Sequence, residues 1–123
     1  MRYLTDRKRA VGKGASGTGT EHHWHMQLSS VALACLVPVW LYIFGSALGG
    51  TQEQVVATFA RPFPAILTAL LLVVGMRHFA SGATMMIEDY ARGTSRKIGV
   101  IFVTCLAWVI AATGLFALAR MAL

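Results

Sequence analysis

Charge is scarce in this sequence. Only 13% of its 123 residues are Asp, Glu, Lys or Arg, whereas a soluble domain carries about 25%. Acidic residues are scarcer still, with 5 Asp and Glu against 11 Lys and Arg, a net charge of +6. Cysteine is limited to Cys35 and Cys105, both inside apolar stretches. With only two thiols and no C-x-x-C pair, a disulfide framework is excluded. Each thiol reads instead as a small hydrophobe. No basic face interleaved with aromatics accompanies the positive charge, which excludes nucleic acid as the partner. No apolar block carries an acidic residue at its centre, so a transporter path would lack its usual ion or proton carrier.

Apolar sequence is abundant by contrast. Hydrophobic residues make up 56% of the chain and the mean hydropathy is +0.61. They fall into three blocks, about 27–48, 62–88 and 97–120. Each is long enough to cross a bilayer as a helix. The fold class is therefore an all-α membrane protein with three transmembrane helices. A polar tail and interfacial segment, 1–26, precedes a single membrane domain, 27–123. The first block is too long for the apolar core of a signal peptide and reads as retained.

Pro38, near the middle of the first block, is expected to kink it. Gly45 and Gly49 read either as a helix-packing pair or as the start of a turn. Residues 54–60 suit a short interfacial helix, and 91–97 a polar turn. In the tail, Gly12 to Gly17 match G-x-G-x-x-G, but no strand precedes them and no βαβ unit follows. A flexible linker is the reading that survives.

Basic residues outside the blocks orient the chain. Arg2, Arg7, Lys8, Arg9 and Lys13 precede the first block, and Arg92, Arg96 and Lys97 follow the second. Only Arg61 lies between the first two. The tail and the second loop are thus expected in the cytoplasm and the C-terminus on the far side. His22, His23 and His25 lack the spacing of a closed metal site. With Trp24 they read as an interfacial anchor.

The second block contains what a lipid-embedded helix avoids. Arg77 and His78 interrupt it, and Glu88-Asp89-Tyr90 close it. Ionisable groups inside a span mark function by default. His78 has Gly75, Ser81 and Gly82 on its own helical face. Small neighbours leave room for a flat ring, and neutral imidazole is a standard haem ligand. A histidine bonded to a neighbouring helix, or lining a polar cavity, is the plainer explanation of the same spacing. Asp89 lies eleven residues on, roughly 16 Å along the axis and on nearly the same side. Tyr90 could hydrogen-bond a quinone carbonyl at the membrane rim, or serve as an aromatic-belt residue. Arg77 must snorkel or find an anionic partner, which a haem propionate, an acidic side chain of another helix or a lipid phosphate could supply. Gln27, Ser29 and Ser30 are on the same membrane side as Asp89 and Tyr90 and are candidates to line the same pocket. Trp108 reads as packing.

Taken together, His78, then Ser81-Gly82, then Asp89-Tyr90 with the tyrosine twelve residues after the histidine, resemble the hydrophobic anchor (D) subunit of bacterial succinate dehydrogenase, respiratory complex II. The glycine-rich tail, His22-His23-Trp24 and the three-helix plan are similar too. The resemblance implies that His78 is one axial ligand of haem b, and hence an iron ligand. The other ligand would come from the partner cytochrome b anchor subunit. It implies that Tyr90, supported by Asp89, contacts ubiquinone. It also implies that the flavoprotein and iron–sulfur subunits dock on the cytoplasmic face of a bacterial inner membrane. The chain would not be catalytic alone. Relatives often carry Q-R-L-[ST] at the start of the first helix. Here Met26-Gln27-Leu28-Ser29 stands in its place, with Gln27 where the arginine would be. A fumarate reductase anchor of the same superfamily shares these features.

Overall fold

The structure is a computed structural model, and it describes residues 4–12, 14 and 19–122. Arg2 and Lys13 of the basic tail, and Ala15, Ser16 and Gly17 of the glycine run, lie outside the described residues. The elements in chain order are α1 (Asp6–Val11), α2 (Gly19–Ala47), α3 (Gln52–Phe59), α4 (Pro62–Tyr90) and α5 (Gly93–Ala122). Among the described residues there is no strand. Three helices, Thr20–Ala47, Pro62–Tyr90 and Gly93–Ala122, are long and apolar enough to cross a membrane. The chain is an all-α, multi-pass membrane protein.

The helices run further than their apolar blocks. Helix α2 begins at Gly19 rather than near residue 27, and α4 continues to Tyr90. Only Ala91 and Arg92 separate α4 from α5, where a longer polar turn was expected. The reason is physical. A span of 29 residues is roughly 43 Å long, while the hydrocarbon core is about 30 Å thick. Hydropathy marks the slab, whereas backbone hydrogen bonding continues through the headgroup layer. The polar residues beyond the slab stay helical with local help. Ser95 Oγ donates to the Arg92 carbonyl at 2.7 Å, and Arg96 donates to Glu88 at 3.3 Å.

Within the tail, residues Asp6–Val11 form a short helix, α1. Thr5 caps α1 by accepting from the Lys8 amide at 3.3 Å. Helix α3 starts two residues earlier than expected because Thr51 and Gln54 form a reciprocal capping box. Each side chain satisfies an amide that would otherwise be orphaned. Helix α2 continues on both sides of Pro38. Of the two readings of Gly45 and Gly49, the turn is the one seen within this chain. Gly49 takes a φ of +83° just beyond α2, and nothing approaches the Cβ position of Gly45.

Helix α4 is the middle element, with α2 packed on one side and α5 on the other. Both pairs are antiparallel. Trp40 of α2 donates its indole N–H to Thr68 of α4 at 3.0 Å. Along α5, Ala107 and Ala111 are buried one turn apart. Small residues let helix backbones approach where lipid offers no hydrophobic drive between spans. Val31, Leu41, Tyr42, Phe102 and Phe116 point outward and are exposed. In water such a surface would drive association; here it meets lipid or other chains.

At Gly114, α5 comes close to the Leu72 side chain of α4. A Cβ there would lie 2.7 Å from Leu72 Cδ2 and 3.0 Å from Cδ1. Gly114→Val is expected to destabilise this packing by about 1–3 kcal/mol, seen as a lower thermal midpoint in detergent. An unchanged midpoint would mean that Leu72 yields freely.

Candidate functional site

The antiparallel register of α2 and α4 decides which polar groups meet inside the membrane. Gly75 and Gly82 of α4 face α2. The nearest atoms to their Cβ positions are Leu33 Cδ2 and Met26 Cε, each at 3.9 Å. The small residues beside His78 therefore serve the approach of α2, rather than leaving that side open for a flat ring. Between them His78 is half-buried, and its Nδ1 lies 2.8 Å from Ser29 Oγ. Ser29 Oγ is also 3.0 Å from the Met26 carbonyl oxygen. Of the pocket-lining candidates, Ser29 is thus turned inward to the histidine.

Gln27 and Ser30 are turned outward. They share a shallow depression on α2 with Trp24 and Leu28. Ser30 Oγ donates to the same Met26 carbonyl at 2.8 Å.

Arg77 precedes His78, so the helix turns the two side chains about 100° apart. Arg77 lines a groove of about 420 Å³ between α4 and α5, with Ser81, Thr84, Thr104, Trp108 and His22. Trp108 is exposed in that groove rather than packed in a core. The ion pairs among the described residues are Asp6–Arg9, Glu21–His25 and Glu88–Arg96. Within them Arg77 has no carboxylate.

At the end of α4 the acids separate. Glu88 is held by Arg96 at 3.3 Å. Asp89 and Tyr90 are exposed, Tyr90 by 87%, and no hydrogen bond among the described residues engages either side chain. Tyr90 lies roughly 18 Å along the axis from His78. The structure brings Ser29 to His78 and places Asp89 and Tyr90 together at the rim. It does not join these two groups.

The donor set suits one axial ligand. Imidazole Nδ1 is occupied by Ser29, and no hydrogen bond among the described residues engages Nε2. Among the described residues no three His, Cys, Asp or Glu gather in the manner of a metal cluster. His22, His23 and His25 sit at the N-terminal end of α2, and His25 pairs with Glu21 at 3.8 Å. A haem held through His78 would need its second axial nitrogen from another chain. The pairing of Ser29 with His78 was not legible from motif spacing. The signal was the register, since residues 26, 29, 33 and 40 meet 82, 78, 75 and 68 at nearly constant sum.

Comparison with known proteins now bears on the site. Residues 1–117 match the succinate dehydrogenase/fumarate reductase transmembrane subunit family. The succinate dehydrogenase hydrophobic membrane anchor subunit of Paracoccus denitrificans is 48% identical over 123 residues, covering 100% of this chain and 95% of that protein. No solved structure matches.

Proposed function

The chain belongs to the succinate dehydrogenase/fumarate reductase transmembrane subunit family, and from that membership we propose how its residues serve a quinone-linked complex. As a membrane anchor of succinate dehydrogenase it associates with the bilayer and with the other subunits. We propose that His78 supplies one axial ligand of haem b through Nε2, the other coming from the partner cytochrome b subunit. The observation that carries this is the half-buried imidazole with Nδ1 held and Nε2 unengaged. Ligating histidines characteristically have their other nitrogen held in this way. When bound, the haem supplies one-electron transfer.

The rim carries the second role. Tyr90 donates its phenol O–H to a carbonyl of ubiquinone, and Asp89 orients that contact or relays a proton. With Glu88 tied to Arg96, Asp89 is the acid left for the task. Gln27 and Ser30 remain candidates for the same pocket, completed by a neighbouring subunit. Arg77 takes a carboxylate from outside the chain, a haem propionate being the candidate. Its stem snorkels along the groove until it is paired. The basic residues flanking α2 and the α4–α5 turn support a cytoplasmic position for this rim. The flavoprotein and iron–sulfur subunits dock there.

Affinity purification of the tagged chain from native membranes tests the assembly. The expected result is co-purification of a second anchor, an iron–sulfur subunit and a flavoprotein, with succinate-dependent ubiquinone reduction. Recovery of the chain without a flavoprotein would overturn it.

A further inference from the structure

We propose that Ser29 is a positioning residue for His78: its hydroxyl accepts a hydrogen bond from imidazole Nδ1–H, fixing the ring's tautomer and aim and thereby setting how strongly Nε2 binds iron. The proposal rests on the haem-ligation reading above and adds to it a residue from a different helix.

The direction of the bond follows from chemistry. Ligation through Nε2 uses the lone pair of that nitrogen, so the hydrogen of the neutral ring resides on Nδ1. Ser29 Oγ, 2.8 Å away, is then the acceptor. Its own hydrogen goes to the Met26 carbonyl at 3.0 Å. The relay ends on a helix backbone, which does not swing. A hydroxyl that donates is also polarised into a better acceptor, and the low dielectric strengthens each link. The opposite polarity, Ser29 donating to Nδ1, would place the hydrogen on Nε2 and block ligation.

The register makes the contact more than incidental. Trp40 to Thr68 clamps α2 to α4 further along, at 3.0 Å. Gly75 and Gly82 keep the helices close on both sides of His78. Slipping α2 by one residue would rotate Ser29 about 100° away. Ser30 cannot substitute, because it is exposed and turned away from His78, which Ser29 contacts.

Hydrogen bonding of a ligand's second nitrogen raises its basicity, and a more basic ligand favours oxidised iron. The test is redox titration of haem b in the assembled complex carrying Ser29→Ala, Ser29→Cys or Ser29→Thr. At the wild-type midpoint, Ser29→Ala is expected to lower the oxidised-to-reduced ratio about threefold, within the worth of one neutral hydrogen bond. Ser29→Thr, which keeps the hydroxyl, restores the wild-type ratio. Ser29→Cys, a weaker acceptor, falls between. Loss of haem from the Ala and Cys complexes at normal subunit stoichiometry, with Thr loaded, also supports the proposal. A merely structural Ser29 would alter assembly or melting but not the midpoint of the haem retained. A wild-type midpoint in Ser29→Ala or Ser29→Cys overturns the proposal, as does a shift in Ser29→Thr as large as that in Ala. His78→Ala separates the two levels. If it preserves the low-spin bis-imidazole spectrum, the ligation reading fails; if it abolishes that spectrum while Ser29→Ala keeps the wild-type midpoint, only the role of Ser29 fails.

Discussion

Tyr90→Phe is expected to lower ubiquinone reduction by the complex about 10- to 100-fold while leaving succinate oxidation through an artificial acceptor intact. The substitution removes one oxygen and keeps the ring. Tyr90 is 87% exposed and packs little within this chain, so the fold should not notice the change. What is lost is a phenol donor to a carbonyl oxygen that gains negative charge as the quinone is reduced. Hydrogen bonds to charged groups contribute about 1.5–3 kcal/mol, and that range sets the expected effect. Asp89→Asn keeps the shape of the side chain and removes its charge. It should produce a smaller loss if Asp89 orients Tyr90, and a comparable loss if it relays the proton. Equal ubiquinone reduction in wild type and Tyr90→Phe would remove Tyr90 from the site.

The sequence made the vertical plan readable for a simple reason. Lipid tolerates few charges and no unpaired backbone, so three long, predominantly apolar blocks read as spanning helices. Ionisable residues inside one of them, Arg77 and His78, marked that block as the candidate site. The twelve-residue step from His78 to Tyr90 then carried the family resemblance. Helix ends were less readable, because α2 and α5 continue through polar residues whose hydropathy says nothing about hydrogen bonding. The short helix Asp6–Val11 was hidden for the same reason, its signal being one capping threonine. Lateral neighbours were least readable. Ser29 looked like its neighbours Gln27 and Ser30, and only the antiparallel register with α4 separates it from them. Trp108 gave no sign that it borders the Arg77 groove, since an aromatic in an apolar run reads as packing wherever it points.

His78→Ala carries the largest expected effect within the membrane. It removes the imidazole whose Nδ1 is held at 2.8 Å by Ser29. No other histidine of the chain lies within an apolar block, because His22, His23 and His25 all precede residue 27. Nothing in this chain can replace the lost nitrogen from the same face of α4. The alanine itself is well tolerated in a helix, and the small residues Gly75, Ser81 and Gly82 share that helical face. The complex should therefore assemble with its anchor helices in place and with a defective haem site.

The decisive measurement is the low-spin haem spectrum of the whole purified complex, recorded for wild type and His78→Ala at equal subunit stoichiometry. The expected result is a bis-imidazole haem b in wild type that is lost, or changed in coordination, in the variant. An unchanged bis-imidazole spectrum at normal haem content in His78→Ala would contradict the assignment, and with it the claim that this chain contributes half of a shared haem site.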